Sequence, residues 1–401
     1  MFRIIVASDS FKGCLSSAEV AEAVKLGIHD ALEDDCCIIS LDMADGGEGT
    51  LSALSKNTPC SIVKAKVHDP LGRVITASYG IINDITAIIE TAQASGLTLL
   101  SDTERNPLYT SSYGTGELIS DALQRGCRKF LIGLGGSATN DGGTGMLEAL
   151  GFRFIDKNGN TVDRCCGARL IEIADIDSSD ISTNLKNASF TVACDVSTPF
   201  CGPEGATKVF SAQKGADDKS ETELEKGMVS FSECIKDSLG IDLAHTPGSG
   251  AAGGLGGAFH AFLNGRLVKG TDLILDAIGF DEIICDADLV ITGEGKIDDQ
   301  TSKGKVPSGI LTRCQHQNIP VIAIGGLVTI SSVDILLSGF EAILPIQPVP
   351  ESPEEFHEAM KPENAARNIR ATIHDYLIGQ DIRGSIFKRQ SLYNQKTNWR
   401  R

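Results

Sequence analysis

Three stretches of the chain concentrate residues able to do chemistry. Between Leu131 and Leu147 the sequence reads LIGLGGSATNDGGTGML, with six glycines set around Ser137, Thr139, Asn140 and Asp141. Glycines such as Gly135 and Gly136 let the backbone approach a ligand so that its N–H groups point at an anion. The helix expected to follow turns its positive end to the same spot. Near the start, FRIIVASDSFKG runs from an apolar strand into Asp9, Ser10 and Lys12. Late in the chain, ADLVITGEGKIDDQTSKGK runs from another strand into Gly293, Glu294, Asp298 and Lys305. Both place carboxylates and lysines just past a strand's carboxyl end, the edge at which open α/β sheets bind ligands.

Further residues fit the same chemistry. Asp195 follows the apolar run FTVAC, Lys214 lies in a Gln-Lys-Gly turn, and Asp45 sits among the glycines of DMADGGEGT. Asp45 and Glu48 there suit either a cation or substrate corner or an acidic helix start. The seven histidines form no metal pattern, and the cysteines form no C-x-x-C. Metal chemistry must therefore rest on oxygen ligands, which points to Mg²⁺, with Asp141 and Glu294 as candidate ligands. Phosphate-cradling glycines, lysines, isolated carboxylates and Mg²⁺ together suit phosphoryl transfer, where catalysis is mostly positioning and charge neutralisation. Lys12, Lys214 or Lys305 would offset phosphate charge. Asp195 or Asp298 could accept the proton of an acceptor hydroxyl. The residues alone stop at a kinase or phosphate-handling enzyme acting on something small.

The elements that must position these groups are readable in outline. Residues 2–7 and 37–41 read as strands, with the S-x-x-E pair Ser16 and Glu19 opening a helix between them. From about Ile62 the texture turns to strand segments joined by turn signals. A helix runs from Ser112 into the strand before the glycine-rich loop, another ends near Leu239, and one lies near 252–263. From Asp288 the pattern alternates strand 288–292, helix 307–317, strand 320–324, helix 331–337, strand 341–346 and helix 353–377, which means parallel sheet. The expectation is an α/β protein of two domains. A parallel domain is built from residues 1–64 and 286–378, with an inserted mixed α/β domain at 65–285 and a polar tail at 379–401.

Composition narrows the function. A formal net charge of −17 would repel DNA or RNA, and aromatics make up only 5% of the chain, too few for a base-stacking surface. Twelve scattered cysteines without a signal peptide read as reduced thiols of a cytoplasmic protein. No apolar run is long enough to span a membrane. Gly248 to Gly253 matches G-x-G-x-x-G, but AHTP before it is not a strand, so the match reads as a loop with close helix packing.

The ordered series ASDSFKG, ADGGEGT, ERNPLYTSSYGTGELI, LGGSATNDGGTGMLEALG, GAAGGLGGA and GEGKIDDQTSKGKVPSGI resembles the motif series of the bacterial glycerate kinase family. The resemblance runs from residue 4 to about 376. It implies two α/β domains, one of them flavodoxin-like and discontinuous, with the active site in the cleft between them. It also implies transfer of the γ-phosphoryl group of Mg·ATP to the 2-hydroxyl of D-glycerate, giving 2-phosphoglycerate. The sequence by itself leaves open a kinase for another short hydroxy acid, phosphorylation at the 3-hydroxyl, and a homodimer. One departure is visible: Ser211-Ala212 precedes Gln213-Lys214-Gly215-Ala216, where the family usually has Gly-Pro.

Overall fold

A computed structural model describes residues 2–379 except 34, 45, 48, 299, 300, 302–304, 330–338 and 351. Its strands, in chain order, are β1 (Phe2–Ser8), β2 (Cys36–Asp42), β3 (Cys60–His68), β4 (Val74–Ile82), β5 (Thr86–Glu90), β6 (Lys129–Gly133), β7 (Arg153–Asp156), β8 (Ile173–Asp177), β9 (Ser189–Ala193), β10 (Arg266–Val268), β11 (Leu289–Ile297), β12 (Val321–Val328) and β13 (Ala342–Pro345). The chain divides into two compact units. Unit 1 comprises Met1–Asp45 and Leu275–Arg401, and unit 2 comprises Gly46–Ile274. The expected break at 64/65 falls inside β3, and helix Thr50–Asn57 packs on β3, β4 and β5, which draws these residues into unit 2.

Unit 1 carries a parallel five-stranded sheet in the order β13-β12-β11-β1-β2. Counted within the sheet, that is 2-1-3-4-5, the flavodoxin-like order, whose ligand-binding switch point lies between the first and third strands. Those strands are β1 and β11, with Ile5 beside Val290 and Val6 beside Ile291. Ile4, Ile5, Val6, Val290 and Ile291 are fully buried, as a central parallel strand covered on both faces requires. Helix Ser17–Leu32 starts with the expected capping box: Glu19 N–H donates to Ser16 Oγ at 3.3 Å and Ser16 N–H to Glu19 Oε2 at 2.8 Å. Its buried face, including Val20, Val24 and Ile28, packs beside helix Pro362–Gly379.

Three readings of this unit need adjustment. The strand expected at 288–292 continues to Ile297, and that at 320–324 continues to Val328. Gly293, Gly295, Gly325 and Gly326 look like breakers, yet all four lie within β11 and β12, Gly293 pairing with Ile324 and Gly325 with Glu294, and a Cβ on Gly326 would meet the Gly295 carbonyl oxygen at 2.6 Å. The single helix expected at 353–377 is two helices, Pro353–Ala359 and Pro362–Gly379. Pro362 opens the second because proline suits a first helical turn and disfavours helix at the residue before it. The helix expected at 331–337 and the tail beyond 379 lie outside the described residues.

Unit 2 holds a mixed six-stranded sheet in the order β10-β9-β6-β5-β4-β3, antiparallel from β3 to β5 and parallel from β5 to β10. A separate hairpin pairs β7 with β8. Its core is aromatic as well as aliphatic: Phe130 stacks on Phe190 with ring centroids 4.8 Å apart, and Phe154 and Phe231 meet edge to face.

Candidate active site

In unit 1 the switch point between β1 and β11 opens into a cavity of about 360 Å³. Backbone pairing pins its floor. Asp9 N–H donates to the Gly293 carbonyl at 2.9 Å, and the buried Ser8 hydroxyl donates to the same oxygen at 3.0 Å. The chain then folds back on itself, Phe11 N–H bonding the Leu15 carbonyl at 2.8 Å. Phe11 is thereby buried, while Lys12 projects exposed from the turn. Asp9, Ser10, Lys12, Glu294, Lys296 and Lys305 all line the cavity. The structure thus brings together five of the sequence-selected residues, Asp9, Ser10, Lys12, Glu294 and Lys305.

Glu294 is nearly buried, and Lys305 Nζ lies 3.1 Å from its Oε2. Thr301 donates its hydroxyl to the other carboxylate oxygen. Burial pushes the Glu294 carboxyl above its ordinary range, against the lowering influence of Thr301 and Lys305. Lys305 itself occupies the N-cap of helix Val306–Gln317. Asp298 is paired with Lys296 at 3.0 Å, and its backbone N–H donates to Thr301 Oγ1 at 3.0 Å. It is a charge-paired turn residue. Gly293 acts through its carbonyl on the β1 side, as described.

The glycine-rich loop of unit 2 is arranged differently. Gly136 is exposed and Gly135 half-buried, but Ser137, Thr139, Asn140 and Asp141 are all buried. The loop is sewn to the segment after β5 by Ala138 N–H to Ser95 O at 2.8 Å and Leu97 N–H to Gly136 O at 2.9 Å. On its far side it meets the glycines of the GAAGGLGGA stretch, and a Cβ on Gly253, whose φ is +68°, would sit 2.0 Å from the Thr139 carbonyl oxygen. Those glycines serve backbone-to-backbone packing, as the missing strand before them implies.

Asp141, expected to hold a metal, is fully buried within the turn. Its Oδ2 accepts from Ser112 N–H and Ser112 Oγ, both at 2.7 Å, and from Gly145 N–H at 3.3 Å, while Oδ1 accepts from Gly143 N–H at 3.0 Å. A fully buried carboxylate with four internal donors is a scaffold for the turn. Lys214 is also buried, its Nζ donating to Thr139 O at 2.7 Å and to Ser137 Oγ at 3.0 Å. Desolvation lowers its pKa from the usual lysine value to about 7, with Asp141 pulling the other way. Lys214 therefore clamps the loop from within. Buried Thr139 Oγ1, Asn140 Oδ1 and Ser211 Oγ find no partner among the described residues, although Asn140 Nδ2 donates to Thr207 Oγ1 at 3.2 Å.

Asp195 stands exposed beyond the carboxyl end of β9, where its Oδ1 accepts from Gly270 N–H at 3.0 Å. Asp45 lies outside the described residues. Sequence reasoning missed Ser112 as a functional partner. It donates to Asp141 and accepts from Met146 N–H at 2.9 Å. Its only signal was a second serine before a helix start. It also missed Phe356 and Met360, which wall the unit 1 cavity from a segment with no motif. No group of three or more potential His, Cys, Asp or Glu metal ligands occurs among the described residues. No helix of the described residues is long and apolar enough to cross a membrane.

A flavodoxin-like parallel sheet with a charged cavity at its switch point, joined in one chain to a mixed α/β unit with a glycine-rich strand-end loop, defines a two-unit α/β enzyme scaffold. The chain belongs to the glycerate kinase family, whose model matches residues 4–377. It is 43% identical over 374 residues to a glycerate kinase of Bacillus subtilis (strain 168), covering 92% of this chain and 97% of the relative. It is 42% identical to the glycerate 2-kinase of Escherichia coli (strain K12), covering 92% of this chain and 98% of the relative. The crystal structure of a protein assigned as glycerate kinase 2 from Salmonella typhimurium LT2 superposes with a TM-score of 0.83 at 39% identity, over 96% of this chain and 99% of that one.

Proposed function

We propose that this protein transfers the γ-phosphoryl group of ATP to the 2-hydroxyl of D-glycerate, giving 2-phosphoglycerate and ADP. Family membership supports the reaction, and the relative named glycerate 2-kinase supports the 2-hydroxyl. The observation that carries it is the cavity at the β1–β11 switch point, where an exposed lysine, Lys12, and two further lysines meet two carboxylates.

In the proposed reaction the substrate oxygen bonds to the γ-phosphorus as the bond to the ADP oxygen breaks. The hydroxyl proton passes to a carboxylate, and Asp195 is the candidate because it is exposed beyond the carboxyl end of β9. Lys12 and Lys305 offset the charge on the phosphates. Asp9 and Glu294 offer the hard carboxylate oxygens that Mg²⁺ takes alongside phosphate oxygens and water. The ion, when bound, would neutralise phosphate charge. Asp141 does not fit that role, since its lone pairs are taken by the turn. Gly135 and Gly136 are the part of the unit 2 loop open to a ligand.

One coupled assay tests the reading: ATP, Mg²⁺ and D-glycerate, with the 2- and 3-phosphoglycerates resolved. ADP release with 2-phosphoglycerate as product is expected. Folded protein giving no ADP above background with D-glycerate would overturn it, and turnover on L-glycerate, glycolate or tartronate instead would redirect it to another hydroxy acid.

A further inference from the structure

We infer that the apolar side of the unit 1 cavity seats the adenine ring of the nucleotide, an assignment that rests on the kinase reading above. The cavity has two kinds of wall. Asp9, Ser10, Lys12, Glu294, Lys296 and Lys305 supply charge and hydrogen bonds, whereas Phe11, Leu327, Ile346, Phe356 and Met360 supply none. A hydroxy acid of three carbons carries a polar group on each carbon, so it has nothing to bury against five apolar side chains. A nucleotide has both parts: a flat apolar-faced base and an anionic tail.

Size points the same way. At about 360 Å³ the cavity reaches the range of roughly 300–1,000 Å³ that takes drug-sized ligands, and a three-carbon acid would leave most of it empty. The apolar wall is also contributed by residues suited to a ring. Phe356 is 51% exposed on helix Pro353–Ala359, a large aromatic surface left in water at the cavity. Met360, at the C-cap of the same helix, offers a polarisable thioether that adapts to a flat partner. The fold places this wall where the charged wall already is, at the carboxyl ends of β11, β12 and β13. Base and phosphates can therefore be held by one unit.

The test uses the full chain and isothermal titration with ADP, adenosine, tripolyphosphate and D-glycerate. Phe356→Ala should weaken ADP and adenosine by about tenfold or more, the loss expected when a base gives up an aromatic face. Tripolyphosphate and D-glycerate affinities should stay within about twofold, and in turnover the KM for ATP should rise while that for D-glycerate holds. Met360→Ser supplies a second variant, and photolabelling of wild-type protein by 8-azido-ADP should tag residues 346–350 or 352–360. Unchanged ADP affinity in both variants, a loss confined to D-glycerate, or labelling confined to residues 46–274 would overturn the assignment. Failure of the kinase reading looks different: wild-type protein would then bind ADP with the stated variant effects yet leave D-glycerate unphosphorylated.

Discussion

The unit 1 cavity and the unit 2 glycine loop are written in nearly the same alphabet, and they fold in opposite senses. Both follow a strand's carboxyl end, and both mix glycine, hydroxyl residues, carboxylates and a lysine. In unit 1 the turn after β1 leaves Lys12 in water and Asp9 half-exposed beside Glu294, so charge faces an opening. In unit 2 Ser137, Thr139, Asn140, Asp141 and Lys214 turn inward, and only the two glycines ahead of them reach the surface. Sequence reports which groups are present at a strand end. Whether they face a ligand or each other depends on the segments that cover them, here the 95–97 stretch and the loop at 250–254.

If outward-facing charge is what performs the reaction, its removal should have the largest effects. Asp195→Asn keeps the shape and loses the base, so kcat should fall on the order of 10²–10⁴-fold with nucleotide affinity retained. The measurement is steady-state turnover beside ADP titration. A variant with normal kcat and a lowered Tm would reduce Asp195 to a cap on Gly270. Next in size, Lys12→Ala should lower kcat/KM by about 10²-fold, because an exposed lysine in a strand-end turn has phosphate as its natural partner. Rates within twofold of wild type would make Lys12 a solvated surface residue and remove the main reason for placing chemistry in this cavity.

Much of this was legible in the sequence, for identifiable reasons. β1 and the first half of β11 announce themselves as uninterrupted apolar runs, and Ser16 with Glu19 marks a helix start by chemistry that depends on neighbours only three residues apart. The parallel sheet could be anticipated from the alternation after Asp288, and its flavodoxin-like character from the family resemblance alone. What could not be read was set by long-range contact. Gly293 and Glu294 look like a strand end until Ile324 and Gly325 are seen across from them. That Asp141 is held inside its turn depends on Ser112, 29 residues away, which supplies two of its four donors. Phe356 and Met360 of the apolar wall come from a helix and its cap whose sequence carries no motif, because an apolar contact surface needs only exposed apolar side chains at the right place.

The inward-facing set should answer to stability assays more than to kinetics. Asp141→Asn exchanges one acceptor oxygen for an amide that can only donate, facing N–H groups that also donate. The expected cost is about 2–4 kcal/mol of folding free energy, read by denaturant titration. The magnesium dependence of the residual activity should be unchanged, whereas Glu294→Gln should shift that dependence to higher concentration. A magnesium shift in the Asp141 variant and none in the Glu294 variant would reverse the comparison between the two units.

Lys214 allows the smallest and most discriminating test, because its burial makes a specific claim about pH. Its pKa stands at about 7 in the folded protein against 10.5 ordinarily, chiefly because burial denies the charged form its hydration. A neutral amine still has two N–H donors, which match the two bonds made to Thr139 O and Ser137 Oγ. Between these two pKa values the unfolded chain binds more protons than the folded one, so this group makes stability rise as pH climbs from about 7 toward 10 and fall as pH drops. Lys214→Met removes the titration while keeping an unbranched chain in the same space. The gap in Tm between wild type and variant should therefore move in favour of wild type by about 2–4 °C from pH 7 to pH 9. Other titrating groups are common to both proteins and cancel in the difference. A gap that does not change with pH would mean that Lys214 stays charged throughout, held so by Asp141. The loop would then be clamped by a buried ion pair in place of neutral hydrogen bonds.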